Sequence, residues 1–351
     1  HNIRMAVVFP APLAPRNPKI SPRATSNEMR STAVKSPNRL LSSLTDMIGS
    51  RMAHQFYEHV LDSRPDRSER HTAESPRGGL ADEASGVEPL ARDQVVRLAE
   101  GVTLLHVGMA ARYVLEKAAR VPCEVDLASE FRYRDPILEE SGLVIIISQS
   151  GETADSRQVL VQTNELGYPS LTITNVPNST LSREASYTLL LHAGPEIAVA
   201  STKAYTAQIA VEAILAKKLG EERGIEAAKD FDIHLELAKV ANAMQTMVDE
   251  KHEIEELTEK NLKTTRNAFY IGRSIDYDTA IEAALKLKEV SYVQTEGFAS
   301  GELKHGTIAL IEEGTPVIAI ITDEKTAAHT RSNVQEVIAR GANVITIVSR
   351  S

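Results

Sequence analysis

From about residue 95 onward, short apolar runs alternate with longer amphipathic ones. TLLHV (103–107), CEVDLA (123–128), LVIIIS (143–148), SLTIT (170–174) and YTLLL (187–191) read as strands. Ala110–Ala119, the stretch from Ser148 to about Glu165, and Ser201–Leu219 read as helices, the last with Ser201 as N-cap and Gly220 just past its end. Such alternation specifies a parallel sheet covered by helices on both faces. Residues 222–262 are charged and helix-favouring, and read as connecting helices. Residues 1 to about 90 are different. Pro10, Pro12, Pro15, Pro18, Pro22 and Pro37 interrupt every apolar period, and the composition predicts disorder.

The strand–helix pattern then restarts. AFYIG (268–272) mirrors TLLHVG, a helix follows at Tyr277–Val293, EEGTPVIAI (312–320) mirrors EESGLVIII (139–147), and NVITIVS (343–349) mirrors SLTITNV (170–176). The chain reads as a tandem duplication of one α/β unit. The second unit stops after the strand matching SLTIT, so an unpaired sheet edge and an uncovered apolar face are expected there.

The sharpest junction between apolar and polar positions is LVIIISQSGETADSR (143–157). A strand buried on both faces ends in Ser148, Gln149, Ser150, Gly151, Glu152 and Thr153. At the carboxyl end of a parallel strand, hydroxyls and helix-start N–H groups form a nest for a small anion. No lysine follows in the manner of a nucleotide-binding loop, so a sugar phosphate is the expected ligand. A serine-rich turn that only caps a helix is the plainer alternative. The second unit reads ITDEKT at the same place, so one phosphate nest per chain is expected.

Three further places carry chemistry. Lys286 and Glu289 share a helix face, as an ordinary surface ion pair would. Glu302, Lys304 and His305 lie in a loop bounded by Gly301 and Gly306, where a histidine suits proton transfer. Ser201, Thr202 and Lys203 open a helix at which an anion or sugar hydroxyl can dock, although plain capping explains Ser201 equally well. The ExxH spacing of Glu302 and His305 lacks a second histidine or a cysteine cluster, so neither metal nor cofactor is expected. Nest, carboxylate and histidine suit aldose–ketose isomerisation of a sugar phosphate.

Composition narrows the setting. The chain has 351 residues, a net charge of −9, and one cysteine, Cys123, which excludes internal disulfides and fits a reducing, cytoplasmic compartment. Residues 1–80 hold 12 Lys/Arg against 7 Asp/Glu, which leaves the acidic excess to the remainder and argues against a nucleic-acid surface. Apolar runs are strand-sized, so no membrane span is expected. No GxGxxG follows a strand, which speaks against dinucleotide binding.

SQSGETADSRQVLVQTNELGYPSLTITNVPNSTLSREASYTLLLHAGPEIAVASTKAYTAQIAV, ALKLKEVSYVQTEGF and GELKHGTIALIEEGTPV together resemble the isomerase half of the glutamine–fructose-6-phosphate aminotransferase family, the glucosamine-6-phosphate synthases. The resemblance runs from about residue 95 to 351. It implies two sugar isomerase (SIS) domains, each a flavodoxin-like three-layer α/β/α sandwich, over 91–221 and 263–351, joined by helices at 222–262, the second domain truncated. It also implies that Ser148, Gln149, Ser150 and Thr153 bind fructose 6-phosphate, with Thr103 retained from the family's first substrate loop. Val199 and Ser201 match a further sugar-contacting segment. Glu289 matches the base that moves a proton between C1 and C2, with Lys286 beside it. His305 matches a ring-opening histidine that reaches the neighbouring subunit's site, which implies a homodimer. The family's product, glucosamine 6-phosphate, is the other implied ligand.

Three departures accompany the resemblance. VTLLHVG (102–108) puts Leu104 where the family's GTSYHAG has a hydroxyl. Residues 1–90 do not resemble the family's cysteine-led glutaminase domain, so glutamine-dependent ammonia supply is not expected. The family's tail, with its imine-forming lysine, lies beyond Ser351. A sugar-phosphate-binding module without turnover is therefore the alternative to an isomerase.

Overall fold

The computed structural model describes residues 5–8, 95–99, 101–134, 136, 138, 142–197 and 200–349. The first half is a five-stranded parallel sheet built from β2 (Val95–Ala99), β3 (Cys123–Leu127), β4 (Leu143–Ile147), β5 (Ser170–Thr174) and β6 (Tyr187–Leu190), in the spatial order β3-β2-β4-β5-β6. This is the 2-1-3-4-5 order of flavodoxin-like sheets, whose switch point lies between β2 and β4. The second half repeats it with β7 (Asn267–Gly272), β8 (Gln294–Ala299), β9 (Pro316–Ile321) and β10 (Asn343–Val348), in the order β8-β7-β9-β10.

Helices cover both faces of the first sheet. They are α1 (Gly101–Ala118), α2 (Ala128–Arg134), α3 (Ala154–Glu165), α4 (Thr180–Glu184) and α5 (Lys203–Glu222). Alternation along β4 shows why its sequence is continuously apolar. Ile145 and Ile147 join the core with α1 and α5, while Val144 and Ile146 join the core with α2, α3 and α4. Short α6 (Glu226–Lys229), then α7 (Ile233–Asp249) and α8 (His252–Asn261), connect the halves; α9 (Ile275–Ser291) and α10 (Ala327–Ile338) belong to the second. Helix α9 packs against α1 across the two halves.

The structure corrects four readings of the sequence. The first strand is Val95–Ala99, and TLLHV lies inside α1. Buried Leu104, Val107, Ala111, Val114 and Leu115 recur at helical spacing, so a five-residue apolar window hid a 3.6-residue period. AFYIG therefore matches Val95–Ala99. Val96 pairs with Val144 as Phe269 pairs with Val317, and each second-half residue stands 173 positions after its counterpart. Ser201 is not a cap, because α5 begins at Lys203 behind Thr202. Gly220 lies within α5, where a Cβ would overlap the carbonyl oxygen of Ala118. It permits close helix packing rather than ending the helix.

The edge expected to be unpaired carries a strand. Met5–Val8 (β1) pairs antiparallel with β10, in the slot that β6 fills in the first sheet. The remainder of the segment expected to be disordered, 9–90, lies outside the described residues. The apolar back of the second sheet, with Tyr270, Ile318, Ile345 and Ile347, faces α7 and α8 across a cleft of ≈ 280 Å³.

Candidate functional site

Strands β2 and β4 are adjacent and parallel, so the loops that leave them open at the same end of the sheet, at its switch point. One loop leads into Thr103, on the first turn of α1; the other is Ser148–Thr153. Ser148 is buried, and its Oγ accepts the Gly151 N–H at 2.8 Å. Ser150 Oγ accepts the Glu152 N–H at 3.2 Å. These two bonds curl the backbone into a concave turn. Gly151 stands at φ +69°, where a Cβ would also overlap the Ser179 side chain, so only glycine fits. Thr153 occupies the N-cap position of α3 but makes no side-chain cap bond. Its hydroxyl is not consumed by capping, which weakens the plain-cap alternative.

Glu152 is turned away from the turn. Its carboxylate accepts the Thr180 N–H at 2.8 Å and the Thr180 hydroxyl at 2.7 Å, and these bonds hold it below the usual carboxylate range. The charge of Glu152 is thus engaged at the start of α4 rather than at the turn.

The second half shows what happens to the same turn when an anion fills it. Thr322 and Asp323 stand 173 positions after Gln149 and Ser150. The Asp276 carboxylate accepts the N–H groups of Thr322 (2.8 Å) and Asp323 (3.1 Å) and the Thr322 hydroxyl. Asp276 is buried, and burial pushes its carboxyl up against the opposing pull of those bonds. Its counterpart in the first half is Thr103. With this neutral residue in place, no carboxylate among the described residues takes the corresponding N–H groups of the first turn.

Thr103 takes part in a constellation across the two halves. Lys286 Nζ, on α9, donates to Thr103 Oγ1 at 3.2 Å and to Glu289 Oε2 at 2.5 Å. It also lies 3.4 Å from Glu282 Oε1. The other Glu282 oxygen lies 2.7 Å from His106 Nδ1, and both side chains are buried. Lys286 and Glu289 are therefore partly buried members of an interdomain cluster, not an ordinary surface pair. Nearby Asp278 has its carboxyl pushed up to about 7 by burial, opposed by Arg112. Tyr205, from α5, has its phenol pushed up by burial and by the charges of Glu282 and Asp278.

The remaining expected residues stand apart. His305 lies exposed in the turn at 301–306, its backbone N–H donating to the Glu302 carbonyl, and its imidazole joins none of the groups around Lys286. Ser201 precedes α5, whose start is taken by the Glu196 carboxylate: it accepts the Thr202 N–H at 2.9 Å and the Ala204 N–H at 3.4 Å. The dock for an anion expected there is thus occupied from within. Ser201 Oγ is buried without a partner among the described residues. Val199 lies outside the described residues. Sequence reasoning missed Glu282 and Asp276, and had His106 only as a residue kept, with Thr103, from the family's substrate loop. Glu282 carried a readable signal, since it sits four residues before Lys286 and seven before Glu289, on one helix face.

A family model for the SIS domain matches residues 92–218 and 261–351. The chain is 61% identical over 261 residues to a glutamine–fructose-6-phosphate aminotransferase (isomerizing) from Lactiplantibacillus plantarum, covering 74% of this chain and 43% of that protein. A protein of the same name from Geobacillus kaustophilus is 59% identical over 274 residues, covering 78% and 45%. The chain spans less than half the length of these curated relatives. Among solved structures, the C-terminal domain of glucosamine-fructose-6-phosphate aminotransferase from Francisella tularensis superposes with a TM-score of 0.69 at 37% identity, covering 73% of this chain and 72% of that one.

Proposed function

The chain belongs to the SIS domain family, and on that premise we propose that it binds fructose 6-phosphate and catalyses the ketose–aldose isomerisation step of glucosamine-6-phosphate synthesis. The observation that carries this reading is the Thr103–Lys286–Glu289 constellation, which is anchored on the loop beside the Ser148–Thr153 nest. The nest holds the phosphate through Ser148, Gln149, Ser150 and Thr153. Glu289 serves as the base that moves a proton between C1 and C2, and Lys286 stabilises the oxygen charge that develops.

His305 assists ring opening in the site of a second copy, which makes the working form a homodimer. Its exposure, away from the groups around Lys286, supports that assignment. The reading places the chain in the cytoplasm, where sugar phosphates are metabolised; no helix among the described residues is long and apolar enough to cross a membrane. Incubation with fructose 6-phosphate in D2O tests the activity. Deuterium entering the sugar and glucose 6-phosphate appearing are the expected results; neither appearing at high protein concentration removes the isomerase.

Leu104 favours a second reading, binding without turnover. It is 4% exposed and packs in the core, where the resemblance calls for a hydroxyl near the substrate. Calorimetry with hexose 6-phosphates, set beside the D2O assay, separates the two: heat of binding without exchange selects the module.

A further inference from the structure

The His106–Glu282 contact has no role in phosphate binding or in the proton transfer assigned to Glu289, yet it is built at cost. A buried carboxylate loses its hydration, and a pair of apolar side chains across α1 and α9 would pack as well. One oxygen, Oε2, is satisfied by His106 Nδ1 at 2.7 Å. The other, Oε1, is buried, accepts no hydrogen bond from the described residues, and points its charge toward Lys286 Nζ at 3.4 Å. A contact that merely fastened the two halves would have no need of this second, half-used oxygen beside an ammonium.

We propose that His106 and Glu282 are a positioning pair that holds the Lys286 ammonium in place while Glu289 changes charge. The inference rests on the isomerase reading and deepens it. In that reaction the Glu289 carboxylate takes a proton from C1 of the open-chain ketose. The C–H electron pair becomes the C1–C2 double bond, and the carbonyl oxygen at C2 takes the negative charge. A proton passes from O1 to O2, Glu289 returns its proton to C2, and O1 becomes the aldehyde oxygen. Between the two transfers Glu289 is neutral and its grip on Lys286, 2.5 Å in the resting site, is weakened. Glu282 Oε1 then supplies the fixed countercharge, and His106 keeps that carboxylate from following the ammonium. Two other groups lie around Glu282: Tyr205 faces it from α5, and Asp278 lies one turn earlier on α9 with Arg112 opposite on α1.

Two measurements on the full chain test this. In the D2O assay, E282Q should lower kcat about 30-fold while KM for fructose 6-phosphate stays within about twofold, because the phosphate nest is untouched. H106L should lower kcat about tenfold, and H106N, which keeps a donor for Glu282, should recover most of it. Equal losses in H106L and H106N, or an unchanged kcat in E282Q, would overturn the proposal. The second readout needs no turnover. In protein labelled with 15N-histidine, the His106 ring signal, identified by its loss in H106N, should shift on E289Q and should stop responding to E289Q once Lys286 is Met. An unmoved signal overturns the pair even if isomerisation is intact. A moved signal in a chain that exchanges no deuterium supports the pair and removes the isomerase reading instead.

Discussion

The two halves share one order over their four matching strands, and they differ in the turn after the third of these and in the helix after the first. In the first, the turn after β4 curls around a nest that no carboxylate of the described residues fills, and Thr103 stands at the position that Asp276 takes in the second. In the second, the matching turn after β9 is filled by the Asp276 carboxylate, which takes the two N–H groups at the heart of the nest. The helices divide the other way. Helix α9 carries Glu282, Lys286 and Glu289 on one face, whereas the counterparts on α1 are Met109, Tyr113 and Glu116. On the proposed reading, a duplicated unit thus supplies the phosphate grip from one copy and the proton-transfer face from the other. The lesson is that a nest is defined as much by the residue that does not fill it as by its serines.

That contrast can be broken at several points. The largest effect is expected from E289Q, which removes the base proposed for transfer between C1 and C2: deuterium exchange into fructose 6-phosphate should fall by about 1000-fold with binding retained. Next is T103D, which gives the first half the residue found at the matching place in the second. Calorimetry should show affinity for fructose 6-phosphate lowered roughly 100-fold, about 2.7 kcal/mol. The reverse change, D276A, strips the buried N–H groups of Thr322 and Asp323 of their acceptor. It should lower stability by about 2–3 kcal/mol in urea unfolding and leave sugar-phosphate affinity unchanged.

A smaller effect concerns Asp278. Burial raises its carboxyl to about 7, above an unfolded value of about 4, so the native chain binds more protons across that window. Stability contributed by the neutral form is therefore lost as pH rises from about 4 to about 7. D278N should flatten the decline of melting temperature over that range and melt higher than the parent at pH 8. A parent whose melting temperature rises steadily over the same window would contradict this.

Much of this architecture was legible. The strands at 143–147 and 170–174 announce themselves as apolar runs buried on both faces, and the duplication follows from repeated segments such as EEGTPVIAI. Ser148–Thr153 is a local motif, so sequence alone could place it at a strand end. What sequence did not show depends on contacts between distant residues. Thr103 was assigned to a strand because five apolar-rich residues fit either period. Asp276 looked like any acid in the first turn of a helix, and only the fold brings it to Thr322, 46 residues on. His106 and Glu282 lie 176 residues apart and meet because the two halves pack through α1 and α9. The strand at Met5–Val8 was hidden in a proline-rich context, and its pairing with β10 is set by an edge that no local pattern reveals.

The central claim is that one nest is open and its twin is closed from within. Backbone amide NMR during a fructose 6-phosphate titration tests it most directly, followed to saturation for stoichiometry. The account predicts one sugar phosphate per chain, with the largest shifts at Gln149 to Thr153 and none of comparable size at Thr322 to Thr326. Shifts centred on Thr322 and Asp323, or two equivalents bound per chain, would contradict it.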